Sequence, residues 1–367
     1  MAVTRVLQVV VNMNSGGIEN MLMNLYRAID RDKIQFDFLL HSESKSFFED
    51  EISSLGGKVH RVKPLKLYNL VGYSKALKSF FSQNSYQIIH SHISVWSYFI
   101  LKIAEASNIP VRIAHSHEAH DSYWDHRLHR VPLIFILKKV INKPLTHRLA
   151  CGYAAGKWLF GEKQFLIINN SIDSTKFYYD NAESKNTKKL LGLNDKIVFG
   201  NVGRFTKQKN HLFLIDIFVE ILKRLPNACL LLVGDGSLKD QLETYVLKNN
   251  LKDSVYFLGV RSDIPELLSA MDYILMPSFF EGLPVALVEA QASGLKIFAS
   301  NKISKEADIT GLITFLSIAD KNIWVEAIMQ NIPYNRENQS TQIKTANYDI
   351  HNNALFLKDF YIKTLVD

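Results

Sequence analysis

Short, nearly unbroken apolar runs alternate along the chain with longer stretches whose apolar residues recur at helical spacing. The run at 3–11 (VTRVLQVVV) predicts a strand covered on both faces, since such a strand needs continuous rather than alternating apolar character. Helical spacing follows over 18–29. Further strands are predicted at 36–41, 58–62, 86–92, 111–117 and 148–152, with helices near 47–55, 70–83 and 95–107. The second half repeats the rhythm. Strands are expected at 196–204, 227–236, 254–259, 273–278 and 296–300, and helices at 210–224, 238–249, 263–270 and 284–293. Strands separated by helices of this length imply βαβ crossovers and parallel sheets. The expected fold class is α/β, with two Rossmann-like doubly wound domains facing across a cleft, one over 1–172 and one over 173–349. The polar stretch 173–195 suits a linker. A final amphipathic helix is predicted over 352–365, in a segment 350–367 free to pack back on the first domain. Ligands of such sheets bind outside the carboxyl ends of the strands.

The remaining bulk properties narrow the class. A chain of 367 residues is long for one core, and 47% hydrophobic with 22% charged residues is ordinary for a folded globular protein. Two cysteines, Cys151 and Cys229, each sit in an apolar run, which suits buried free thiols in a reducing compartment rather than a disulfide or zinc framework. The N-terminal run is too short and leads into glycines, unlike a signal peptide. No window reaches the roughly 18 apolar residues of a membrane span. The expected location is the cytoplasm, with peripheral contact at the inner face of the cell membrane. The net charge of +7 is uneven: residues 1–173 hold 21 Lys/Arg against 14 Asp/Glu, and 174–367 hold 22 of each. A basic surface suits nucleic acid, anionic lipid or a phosphorylated substrate, so charge alone selects none of them.

Three segments carry candidate chemistry. In NMNSGGIEN (12–20), Gly16 and Gly17 separate a strand from a helix start, whose free N–H groups suit an anion; a plain turn reads equally well. This is not the G-x-G-x-x-G dinucleotide fingerprint. In GNVGRFTKQKNH (200–211), Arg204, Lys207 and Lys209 crowd beside Gly203, a set that suits a diphosphate or, blandly, a solvated basic loop. In SFFEGLPVALVEAQASG (278–294), Glu281 precedes a helix opened by Gly282 and Pro284, and Glu289 lies about one turn inside it. Carboxylates accept hydrogen bonds from vicinal hydroxyls, so sugar and ribose rings suit this pair. A helix cap plus a surface glutamate is the alternative.

Taken in order, SGGIE (15–19), HSHEAH (115–120), INNSID (168–173), GRFTKQKN (203–210), VGDGS (233–237), FLG (257–259) and EGLPVALVE (281–289) resemble the retaining family-four glycosyltransferases of the GT-B fold. The likeness spans nearly the whole chain, and the last motif matches the family's E-x7-E signature. The resemblance implies that Arg204 and Lys209 hold a donor diphosphate, that Glu281 binds donor-sugar hydroxyls, and that Glu289 binds the nucleotide ribose. It further implies that Gly16 and Gly17 turn amides toward phosphate and acceptor, and that 257–264 walls the base. Gly203, Gly234, Gly259, Gly282, Leu283 and Pro284 complete the donor-binding set by the same likeness. One of His115 and His117, which share a strand face, is implied to meet the donor sugar. With His90, His92 and His120 they could be mistaken for a metal cluster. The family needs neither metal nor cofactor, its co-substrate being a nucleotide diphosphate sugar, by prevalence a UDP-sugar. His90 and His92 are therefore expected to be satisfied structural histidines.

Two departures stand out. Asn170-Ser171-Ile172-Asp173 replaces the glycine of the usual N-G-I-D turn, and 301–318 lacks a glycine-rich turn common in the family. The second run is similar to the bacterial exopolysaccharide and capsule branch. The implied activity is sugar transfer to a saccharide acceptor, expected on a polyprenyl diphosphate. The basic-aromatic stretch 127–143 (Arg127, Arg130, Lys138, Lys139, Lys143) either rests on anionic membrane or forms a packed helix with a solvated basic face. A sugar-nucleotide 2-epimerase and a non-catalytic nucleotide-sugar-binding protein are the rivals. Nucleic acid is not expected as a partner, because no aromatic-basic sheet signature is present.

Overall fold

The computed structural model describes residues 3–14, 16–117, 131–281 and 283–366. The chain divides into two compact units, Met1–Ser171 with Ile350–Asp367, and Ile172–Asp349. The first holds a seven-stranded parallel sheet ordered β3-β2-β1-β4-β5-β6-β7. Its strands are β1 Thr4–Val10, β2 Ile34–Leu40, β3 Val59–Arg61, β4 Ile88–Ser91, β5 Val111–Ser116, β6 His147–Ala150 and β7 Leu166–Ile167. Helices α1 Gly17–Ala28, α2 Glu49–Ser54, α3 Leu70–Gln83, α4 Ser97–Ala106, α5 Val131–Val140 and α6 Tyr153–Phe160 connect them. Successive residues of a strand point to opposite faces, so β1 serves two cores. Val6 and Val10 join a cluster with Phe36, Phe38 and Tyr26, while Leu7 and Val9 join another with Leu77, Ile100 and Leu101. Each such buried side chain contributes roughly 1.5–3 kcal/mol relative to exposure.

The second unit repeats the plan with six parallel strands in the order β10-β9-β8-β11-β12-β13. These are β8 Ile197–Val202, β9 Ala228–Val233, β10 Val255–Gly259, β11 Tyr273–Met276, β12 Lys296–Ser300 and β13 Ile313–Leu316. Its helices are α7 Asn181–Leu190, α8 His211–Arg224, α9 Lys239–Lys248, α10 Ile264–Ala270, α11 Val285–Ala292, α12 Lys321–Met329 and α13 Ser340–Thr345. Along β9, Leu230 and Leu232 face the core around Trp324, and Cys229 and Leu231 face the core under α11. Both cysteines are buried. The doubly wound α/β class expected from the sequence is the observed one.

Two features went beyond the sequence pattern. The stretch 173–195 is not simply a linker: it contains α7, started by Asp180, whose side chain accepts from the Glu183 amide. Only Ser184 of α7 is buried, so no apolar periodicity announces it. Arg336 is the other. Its guanidinium donates to the carbonyls of Ser293, Ser269, Met271 and Leu268 at 2.6–3.1 Å and stacks on Tyr179 at 3.9 Å. One part-buried cation thus closes the ends of α10 and α11, whose last carbonyls have no partner within their own helices.

The last helix, α14 Ile350–Lys363, belongs to the first unit. It lies along α1 and buries Ala354, Leu357 and Tyr361 in the core with Phe36. Among the described residues no helix is long and apolar enough to cross a membrane.

Candidate functional site

The second unit concentrates chemistry where β8, β9, β10 and β11 end. After β8 the chain turns through Gly203 and Arg204 into a short turn, Lys207–Lys209. Asn210 follows in the left-handed conformation (φ 57°), which asparagine tolerates better than most residues. Its side-chain amide donates to the Pro277 carbonyl at 3.1 Å. The Phe279 amide donates to the Gln208 carbonyl at 2.8 Å, and the Gln208 side chain donates to the Phe280 carbonyl at 3.0 Å. These three bonds lash the basic turn to the loop that carries Glu281. Below them, His211 Nε2 bonds Asn201 Oδ1 at 3.1 Å, and Asn201 donates to the Leu275 carbonyl at 2.6 Å. Burial and then Lys209 push the His211 imidazole down to about 4, so it acts there as a neutral strut.

Lashing brings opposite charges together. Lys209 Nζ lies 2.6 Å from Glu281 Oε1, with both side chains largely buried. The lysine stem runs across Gly203, where a Cβ would stand 3.2 Å from Lys209 Cε. The loop at Glu281 is pinned on its other side by a bridge to Ile303 and by the Ser304 amide, which donates to the Glu281 carbonyl at 3.2 Å. Arg204 is exposed and makes no ion pair among the described residues.

The glycines separate into two kinds. A Cβ on Gly234 (φ 141°) would fall 2.1 Å from the Gly203 carbonyl oxygen, so only glycine lets these turns touch. The Gly234 amide also donates to the Gly259 carbonyl at 2.8 Å, tying the ends of β9 and β10 together. Gly259 is left-handed (φ 67°) with open space around it. Leu283 and Pro284 precede α11, with Pro284 as its N-cap residue. Gly282 lies outside the described residues.

Glu289 stands within α11 and has no side-chain partner among the described residues. Burial alone pushes its carboxyl from the ordinary 4.5 up to about 7. A carboxyl withdrawn from water without a partner is costly, and such groups concentrate at functional sites.

The other expected residues lie in the first unit. Gly16 is the N-cap residue of α1 in an extended conformation, and a Cβ there would meet the Glu19 carboxylate at 2.3 Å; Gly17 opens the helix with space around it. Ser15 lies outside the described residues, as do Glu118 to His120 of the histidine motif and Arg127 and Arg130 of the basic stretch. His115 is the penultimate residue of β5, and the His115 and His117 rings stack with centroids 4.2 Å apart. His90 and His92 join them, with neighbouring centroids 4.3–5.3 Å apart. Of the two expected to be satisfied, His92 has partners on both nitrogens, but His90 Nε2 has none among the described residues. His90, His92 and His115 form the one described trio that could hold a metal, their ligand atoms all within 4.8 Å of one another. Sequence reasoning missed Gln208, Asn210, Phe280 and Ser304. Their polar groups act across tertiary contacts, and only the left-handed asparagine had a local signature.

Comparison with known proteins bears on this arrangement. The family description "Glycosyltransferase Family 4" matches residues 15–150, and "Glycosyl transferases group 1" matches 183–311. EpsF of Bacillus subtilis (strain 168), named as a glycosyltransferase, is 35% identical over 336 residues, covering 88% of this chain and 86% of EpsF. The chain belongs to the family 4, group 1 glycosyltransferases. An Escherichia coli relative, UDP-Gal:alpha-D-GlcNAc-diphosphoundecaprenol alpha-1,3-galactosyltransferase, is 29% identical over 273 residues, covering 71% of this chain and 67% of its own. Anabaena HepE, solved with UDP-glucose, superposes with a TM-score of 0.75 over 99% of both chains at 17% identity. That likeness establishes the GT-B fold for this transferase, and membership favours transfer over the epimerase and binding-protein readings.

Proposed function

We propose that this glycosyltransferase moves a sugar from a UDP-sugar to a hydroxyl of a saccharide on a polyprenyl diphosphate, with retention of anomeric configuration and without a metal. Its place would be capsule or exopolysaccharide synthesis. The observation that carries this reading is the Lys209–Glu281 pair, 2.6 Å apart and recessed beside Gly203. Departure of the nucleotide builds negative charge on the β-phosphate. A cation already fixed in place stabilises that charge without reorganising, which is usually the largest catalytic contribution. Lys209 and the unpaired Arg204 take that role, Glu281 the donor-sugar hydroxyls, and Glu289 the ribose. Gly203, Gly234, Gly259, Gly282, Leu283 and Pro284 shape the donor loops, Gly16 and Gly17 offer amides to phosphate and acceptor, and His115 or His117 meets the sugar. Attack occurs on the face the nucleotide leaves, and the leaving phosphate takes the acceptor proton, so no protein nucleophile enters. The E. coli relative's named substrates and HepE's UDP-glucose support the choice of donor and acceptor class.

A peripheral stay at the cytoplasmic membrane face belongs to the same proposal. On α5, Phe135 and Ile136 are more than half exposed, Lys139 lies 4.2 Å over Phe135, and Lys138 lies 4.4 Å over Trp158. Apolar side chains beside lysines suit an anionic lipid surface. The test is a thermal-shift screen of nucleotide sugars, since a ligand of the folded state raises its apparent stability, followed by transfer assays in chelator and flotation on anionic liposomes. A UDP-sugar should be the ligand that stabilises, and transfer should survive chelation. Loss of transfer in chelator would overturn the metal-free part, and flotation indifferent to lipid charge the membrane part.

A further inference from the structure

A single chain of hydrogen bonds runs through the first unit, joining its first strand to its last helix by way of the histidines. Gln8 of β1 places Oε1 2.8 Å from His92 Nε2 and donates from Nε2 to the Tyr361 hydroxyl of α14 at 3.2 Å. His92 Nδ1 lies 2.9 Å from His117 Nε2, and His90 Nδ1 lies 2.6 Å from the Tyr361 hydroxyl. Donor counting then sets every proton. An amide oxygen only accepts, so His92 carries its hydrogen on Nε2 and leaves Nδ1 bare. His117 must therefore donate from Nε2, which leaves its Nδ1 bare. The Tyr361 oxygen accepts from Gln8, so its own hydrogen goes to His90 Nδ1, and His90 carries its hydrogen on Nε2.

We propose that Gln8 and Tyr361 are positioning residues that fix these tautomers, so that His90 offers an N–H and His117 a lone pair to the hydroxyls of a sugar ring. The ligand class rests on the glycosyltransferase reading above; the tautomers do not. His90 Nε2, His117 Nδ1 and both nitrogens of His115 are buried without a hydrogen-bond partner among the described residues. Buried polar atoms are ordinarily paired, so the cluster is built for a ligand that supplies partners. Burial holds these imidazoles uncharged, with His117 pushed down to about 3. Uncharged groups offering both a donor and acceptors match a hydroxyl, which does both, better than a phosphate, which only accepts. A metal fits less well. The trio with suitable spacing includes His92, whose two nitrogens are already engaged.

The experiment is a long-range ¹H–¹⁵N spectrum of histidine-labelled protein at pH 7, for wild type, Tyr361→Phe and Gln8→Met. In wild type His90, His92 and His117 should all be Nε2–H tautomers. Tyr361→Phe should shift His90 toward a tautomer mixture while His117 keeps its state; Gln8→Met should release His92 and His117, and His90 with them, because Tyr361 loses the donor that directs its hydrogen to His90. Nδ1–H tautomers in wild type, or a response of His117 to Tyr361→Phe as large as that of His90, would overturn the relay. Both variants should also lower kcat/KM for transfer roughly five- to tenfold, the effect of one weakened hydrogen bond; wild-type kinetics in both would overturn the sugar role. If the wild-type protein transfers from no nucleotide sugar, the glycosyl reading and the ligand class fall together, and the spectra still decide the relay. Histidine signals shifted by stoichiometric zinc would replace the sugar ligand with a metal.

Discussion

Replacing Glu289 with glutamine should make the ligand-free protein more stable, and the gain should depend on pH. In the folded chain burial raises the carboxyl from 4.5 to about 7, so the folded state holds a proton over a range where the unfolded state has lost it. Stability therefore falls as pH rises from about 4.5 to 7, the cost being absent below that window and complete above it. A displacement of this size corresponds to at most about 3 kcal/mol, and partial exposure of the side chain reduces it to roughly 1–2 kcal/mol. Glu289→Gln keeps the shape and removes the charge. Its advantage over wild type should be near zero at pH 4.5 and full at pH 8, where it should raise Tm by roughly 3–6 °C. Urea and thermal denaturation at the two pH values measure it. A variant no more stable than wild type at pH 8, or equally more stable at both pH values, would refute the argument that burial alone governs this carboxyl. If Glu289 holds the ribose, the same variant should bind nucleotide sugar more weakly, so stability and function would move in opposite directions.

Three further outcomes follow from the geometry. Lys209→Met removes the cation beside Glu281 and should lower kcat for transfer by about 10²- to 10³-fold with the fold retained by circular dichroism; wild-type turnover would remove the diphosphate role. Gly234→Ala drives a Cβ to 2.1 Å from the Gly203 carbonyl at a backbone angle that L-residues rarely adopt. It should displace the Arg204 loop and weaken nucleotide-sugar binding measured calorimetrically, even where the protein still folds. Arg336→Met strips four carbonyls of their donor, and burial already lowers that guanidinium to about 10. Leaving those carbonyls without a donor should cost about 1–3 kcal/mol, read as a lower urea midpoint; an unchanged midpoint would mean that water satisfies those carbonyls.

Much of the fold is written locally. Strand β1 carries apolar residues on both faces, Val6 and Val10 on one and Leu7 and Val9 on the other, because both faces are covered, and its run can be recognised without any neighbour. The E-x7-E segment and the basic turn at 203–210 are also contiguous, so their residues and the glycosyltransferase family were legible from the sequence. Helix α7 was not, since a helix that buries only Ser184 leaves no apolar period to read. Nor was β7, a two-residue strand exposed at the sheet edge.

What the sequence determined by itself is the α/β class, the family and the identity of the charged residues, because each depends on spacing along the chain. Tertiary structure alone decided that Lys209 meets Glu281, that Gly234 must be glycine because Gly203 lies against it, and that Glu289 sits unpaired. It also joined Tyr361 to His90 across 271 residues. No local pattern encodes such a pairing, since a hydrogen bond's partner is set by which strands lie side by side. Burial, which moves Glu289 and the four histidines away from their ordinary protonation, is likewise a property of the packed units and not of the residues themselves.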